Sequence, residues 1–205
     1  MTAIETTQAF EDKVRIEREK QAMTAIETTQ ASRTEVHNLL FGVRRSVLYH
    51  TKRRQFFDGL QNMTTTFSLL GASAAISKFA SQTGSDTLTT MILAFVAVFN
   101  ALSLVGKFSE KARTHYDLAK RFIALEQRIA NDTEPSLEDF RQMVSQRLQI
   151  ETDEPPKKYV LDTLCHNELC HAMGYTEKTV YCHVSLIQRI FAHIKDVNTT
   201  SLFKK

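Results

Sequence analysis

The side chains best suited to bind a metal or move a proton are three cysteines and seven histidines in a chain of 205 residues. All three cysteines lie in CHNELCHAMGYTEKTVYCH, residues 165–183, each followed by a histidine: Cys165-His166, Cys170-His171 and Cys182-His183. On a helix, His166 and Cys170 share a face, while Cys165 and Cys170 point about 140° apart. A zinc site would therefore draw on His166, Cys170, Cys182 and His183 from two segments. Neither CxxC nor HxxxH spacing supports that site, and free cysteine is among the commonest buried residues. The favoured reading is structural, with no metal and no cofactor.

Other chemistries fit less well. HNELCH is not HExxH, because its acid is one place late and its histidines are five apart. Glu168-x-x-His171 is a single ExxH, where a di-iron bundle needs two. VGKFS lacks the upstream glycine and the Lys-Ser/Thr pair of a phosphate loop. No nucleophile elbow, dinucleotide fingerprint or kinase set occurs, so no enzyme is expected.

The elements that would position such residues are long. Six glycines and three prolines are few for this length, which implies few turns and an all-α fold. A net charge of +3 is too small to imply a nucleic-acid partner. An odd number of cysteines, with no secretory signal at the start, fits a reducing compartment.

Two windows are free of charge. Residues 59–77, GLQNMTTTFSLLGASAAIS, and residues 87–106, TLTTMILAFVAVFNALSLVG, each have the length of a membrane-spanning helix. Between them Gly84 and Ser85 mark a turn, and Ser85 or Asp86 would cap the second helix. Arg44, Arg45, Lys52, Arg53 and Arg54 precede the first window, Lys107, Lys111, Arg113, Lys120 and Arg121 follow the second, and the connection holds Lys78 alone. That bias predicts a hairpin with both termini cytoplasmic. A soluble bundle with both windows buried is the alternative, because periodicity does not separate the two.

Within the windows, Gly71 and Ala75 on the first helix and Thr90, Ala94, Ala97 and Ala101 on the second form small-residue stripes suited to close packing. Asn62, Thr66, Ser73 and Ser77 share a face of the first helix. They would either bond between helices or line a weakly polar pore in an oligomer.

The flanks continue the helices. Leu40, Val43, Val47 and Phe57 keep helical spacing upstream, and Phe108, Ala112, His115, Leu118, Phe122, Leu125 and Ile129 form a coiled-coil-like seam downstream. Two antiparallel stalk helices are expected, with His115 packed in the seam. After Pro135, Ser136 and Asp139 make a capping box for a helix to about Thr152. A helix from about Lys157 to Met173 should close at Gly174, and Thr176 should start a last one to about Val197. The expected division is a polar arm at 1–32, with MTAIETTQA at 1–9 repeated at 23–31, a hairpin and stalk at 33–131, a helical cap at 136–197 and a tail at 198–205.

The phrases RRSVLYHTKRRQFFD, FSEKARTHYDLAKRFIALEQRI and RLQIETDEPPKKYVLDTLCHNEL flank the two windows in an order that resembles the SLATT proteins, two-transmembrane effectors of bacterial conflict systems. It is similar above all to bacterial and prophage membrane proteins sharing the EKAR-H-DLA-RF and LCHNEL phrases, over about residues 40–175. The resemblance implies a homo-oligomer in the bacterial inner membrane that forms a pore or perturbs the bilayer in antiphage defence, triggered through a separate sensor protein. It also implies that Arg113, His115, Asp117, Arg121 and Phe122 belong to the stalk and Glu151, Glu154, Pro155, His166, Asn167 and Glu168 to the cap. Asn167 and Glu168 would then bond to arginines such as Arg113 or Arg121. A non-conducting membrane adaptor and a soluble zinc-binding helical protein are the alternative functions.

Overall fold

Long runs without proline make long helices, and the computed structural model follows them. It describes residues 15–18, 31–81, 87–177 and 180–197, side chains at 74, 78–81 and 88–89 excepted. The expected polar arm apart from residues 15–18, 31 and 32, the turn residues Gly84, Ser85 and Asp86, and the tail lie outside the described residues. The helices are α1 (Arg33–Ser81), α2 (Thr87–Gly106), α3 (Phe108–Asn131), α4 (Leu137–Thr152), α5 (Tyr159–Ala172) and α6 (Leu186–Phe191). Among the described residues the chain is mostly helical and has no strand, an all-α fold.

Local chemistry sets the helix ends. The Glu35 carboxylate accepts from the Ser32 N–H at 3.1 Å at the start of α1. Ser136 caps α4 by accepting from the Asp139 N–H at 3.1 Å, as its spacing predicts. Gly174 takes φ +76° after α5, the left-handed conformation that makes glycine the usual residue there. Lys107 also has a positive φ, +50°, and separates α2 from α3 where the second uncharged window ends.

The chain forms two compact units, residues up to Arg44 with Phe122–Asp153, and Arg45–Arg121 with Glu154 onward. The first buries Val36, Leu39 and Val43 of α1 with Leu125, Ile129 and Met143. Full burial of such side chains stabilises by about 1.5–3 kcal/mol each. At its edge Arg44 donates to Glu126 at 2.8 Å and Arg33 pairs with Glu134. The second has a core of Tyr49, Val160, Leu161, Cys165 and Ala192. The predicted seam is buried throughout except Phe108, which is half-buried.

The last helix departs from expectation. Residues 181–185 are not helical, and α6 runs only from Leu186 to Phe191. The cause is local. Asn167 donates to the Cys182 carbonyl at 2.7 Å and accepts from the Cys182 N–H at 3.0 Å, so those backbone groups are taken by a side chain. A capping box of Ser185 and Gln188 then starts the helix afresh.

Helix α2 has few cover residues. Among the described residues one helix, Thr90–Asn131 counted through Lys107, is long and apolar enough to cross a membrane, and 6% of its most apolar window is buried. This window is therefore exposed in the single chain and does not form its buried core. The first window is not apolar enough to meet the same measure, because of its threonines, serines and amides.

Candidate functional site

The predicted seam brings His115 of α3 against His50 of α1, with Nδ1 atoms 2.9 Å apart. His50 Nε2 lies 3.1 Å from Glu154 Oε1, and Lys157 Nζ lies 2.9 Å from Glu154 Oε2. The result is a chain of four titratable groups drawn from two helices and the DEPP segment that enters α5. The His50 side chain is 0% exposed and that of Glu154 5%. Phe57 stacks on His115, centroids 5.8 Å apart and planes 10° apart, and Tyr49 meets both imidazoles edge-on. The Tyr49 hydroxyl accepts from the Lys158 N–H at 2.9 Å, which ties the aromatic wall to the same segment.

Burial, and next the neighbouring His50, pushes the His115 pKa down to about 3. For Glu154, burial works upward, but the hydrogen bonds from His50 and Lys157 hold its carboxyl below the usual value. An ionised carboxylate only accepts, so His50 Nε2 carries a proton, and one further proton lies between the two Nδ1 atoms. Neutral His50 accepts that proton from His115; protonated His50 donates it to His115. Either protonation state of His50 therefore satisfies the geometry, provided His115 switches tautomer. With all three side chains shielded from solvent, the arrangement holds charge and joins α1, α3 and the 154–158 segment.

The opening cysteine–histidine stretch makes a different structure. Cys165 is fully buried in the core beside Tyr49 and Leu161, and burial pushes its thiol up to about 12. Burial also raises Cys170, followed by the nearby Cys182. His166 Nε2 lies 3.1 Å from the Val180 carbonyl and 3.5 Å from Cys170 Sγ, while His183 is exposed. Among the described residues no group of three His, Cys, Asp or Glu side chains is placed to hold a metal ion; of His166, Cys170, Cys182 and His183, the first two lie in contact. The expected polar network is also rearranged. Asn167 clamps Cys182, Glu168 pairs with Lys52 at 2.8 Å, Arg113 is exposed and Arg121 half-buried.

In the uncharged windows α1 and α2 run antiparallel. Ser103 Oγ lies 3.3 Å from Gln61 Oε1, and Ser68 Oγ lies 2.6 Å from Asn100 Oδ1. Phe67 meets Phe95 and Phe99 edge-on. Gly71 is buried, and a Cβ there would stand 3.2 Å from Val96, a close approach of the two helices; Ala75 is half-buried. The other stripe does not. Thr90, Ala94, Ala97 and Ala101 are exposed, because Val96, Asn100 and Ser103 form the face that meets α1. Asn62, Thr66, Ser73 and Ser77 are exposed too, and the Ser73 hydroxyl donates to the Leu69 carbonyl at 2.9 Å. The bonds between these helices thus come from residues one face away from that stripe. Below them Gln61, Thr64, Ser68, Asn100, Ser103 and Lys107 line an open cleft of about 440 Å³.

No protein-family model, curated protein or solved structure matches the chain.

Proposed function

We propose that the chain is an integral protein of the bacterial inner membrane, anchored by a hairpin of residues 59–77 and 87–106 with both termini in the cytoplasm. Copies assemble through the outward polar face of α1 into a pore or membrane-perturbing effector of a conflict system, released by a separate sensor. The observation that carries this reading is the exposure of large apolar side chains on both helices. Leu69, Leu70 and Ile76 on α1 are 62–70% exposed, and Phe95, Val98, Leu102, Leu104 and Val105 on α2 are 57–81% exposed. Water penalises such a surface and hydrocarbon does not. The hydroxyls of Thr64, Thr65 and Ser73 reach carbonyls of the preceding turn, which lowers the cost of a weakly polar span. The cations flanking the windows support the orientation.

Asn62 and Thr66 face outward, where an assembled ring would turn them to a lumen. Replacing Thr66 and Ser73 together with leucine should abolish dye release from vesicles while leaving membrane insertion intact. Unchanged release by the well-inserted double variant would remove the pore lining. A non-conducting adaptor is favoured by the bonding of Gln61 with Ser103 and Ser68 with Asn100 inside one hairpin, because these groups then need no second copy. Absence of release by the unmodified protein, with a partner recovered by crosslinking, would select that reading.

A further inference from the structure

We propose that residues 186–194 form an interfacial anchor whose apolar face lies in the headgroup region of an anionic bilayer, beside the point where α1 enters it. This rests on the membrane reading above and adds a second, shallow contact to the spanning helices.

The face is unusual for a water-exposed segment. Leu186, Ile187, Ile190, Phe191 and Ile194 are 76%, 62%, 71%, 43% and 63% exposed. The helical turn continues past α6, since the Lys195 N–H donates to the Phe191 carbonyl at 2.9 Å. At about 100° per residue these five side chains cover an arc of about 140°. Gln188 and Ala192, on the opposite side, are 3% and 1% exposed and hold the segment to the protein. Gln188 also donates to the Val197 carbonyl at 3.1 Å. Arg189 and Lys195, both exposed, fall one on each edge of the apolar arc. An apolar face bordered by cations is the pattern of a helix lying in the membrane plane.

The location argues for lipid as the occupant. Arg53 donates from Nη1 to the His193 carbonyl at 2.6 Å, and Phe56 stacks on the His193 ring at 4.7 Å with planes 10° apart. Arg53 and Phe56 precede the uncharged window at Gly59 by six and three residues, about 9 and 4.5 Å along the helix. The apolar face is therefore pinned where the proposed span meets the headgroups. Arg53 is half-buried there and adds positive charge at that level: its guanidinium lies 4.5 Å from the Phe57 ring centroid, and its Nε is buried without a hydrogen-bond partner among the described residues. A phosphate-bearing surface complements Arg53, Arg189 and Lys195 together, which an apolar patch on a second copy would not.

The chain has no tryptophan, so one introduced tryptophan reports one site. Phe191→Trp and, separately, Phe95→Trp would be placed in the full-length protein and reconstituted into vesicles of phosphatidylcholine and phosphatidylglycerol. Lipids with a nitroxide near the headgroup or deep in the acyl chain then serve as quenchers. The proposal predicts that Phe191→Trp loses more than about half its emission to the shallow quencher and little to the deep one. Phe95→Trp should show the reverse, and adding Arg189→Gln and Lys195→Gln should weaken the shallow quenching. If Phe95→Trp is quenched and Phe191→Trp is not, the anchor is wrong and the span survives. If neither is quenched, the membrane reading fails and the anchor falls with it. Blue-shifted Phe191→Trp emission without lipid quenching means that protein covers the face, which also overturns the proposal.

Discussion

The same antiparallel pairing of helices is built in two ways along the second unit. Around His50, Phe57 and His115 the facing side chains are aromatic or titratable, and residues 154–165 close over them. Between residues 63 and 105 nothing among the described residues closes over the pair, and leucine, isoleucine, valine and phenylalanine face outward. Covered, the helices hold a buried chain of titratable groups. Uncovered, they present an apolar surface of the kind the proposed lipid-facing hairpin needs, and hydroxyls bond to their own backbone. The turn at Lys107 falls at the boundary, with Gly106 before it; a Cβ on Gly106 would stand 2.5 Å from the Phe108 ring.

The largest test of this contrast is truncation of one phenylalanine from each kind of surface. Phe57→Ala, at a buried position stacked on His115, should cost about 3–5 kcal/mol. Phe95→Ala, at a position 58% exposed, should cost under about 1 kcal/mol in detergent. Denaturation of both variants in one detergent reads the difference directly, and equal costs would erase the contrast.

A smaller loss is expected at the buried chain of titratable groups. Glu154→Ala leaves the His50 Nε2–H buried without its acceptor and frees Lys157, at a cost of about 1–3 kcal/mol. His50→Phe in the same background should recover part of it, a non-additivity that a double-mutant cycle measures.

Acid acts through the same groups. Burial holds His115 neutral in the fold, with its pKa at about 3 against the ordinary 6.5. Between those values the unfolded chain binds a proton that the folded one refuses, so stability is full above 6.5 and falls as pH drops. The slope should approach about 1.4 kcal/mol per pH unit. Glu154, also lowered, adds a loss below its unfolded value of 4.5. Denaturation midpoints across that range should drop with acid, and His115→Phe should flatten the upper part. A small effect is expected at the α4 cap, where Ser136→Ala should cost about 1 kcal/mol by the same assay.

Much of this was legible in the sequence. The buried seam, the Ser136 cap and the Gly174 stop each depend on neighbours within a turn or two, and local spacing displays them. His50 as the partner of His115 was not legible, because the pair is 65 residues apart and one sequence does not reveal the register of two antiparallel helices. The same lack of register turned the Thr90–Ala101 stripe outward and hid Asn100 as the polar contact to α1. The short last helix had a visible signal. Ser185-x-x-Gln188 is a capping box, but the helical spacing of Val180, Val184 and Ile187 masked it. The Asn167 clamp on Cys182 is a side-chain effect that periodicity does not record.

The central claim is that residues 59–77 and 87–106 lie in a bilayer. Fractionation of expressed protein with a carbonate wash at high pH tests it most directly. The account predicts that the chain stays in the membrane pellet until detergent is added. Release of folded protein into the wash would contradict it, and the apolar surface of α2 would then need a protein partner.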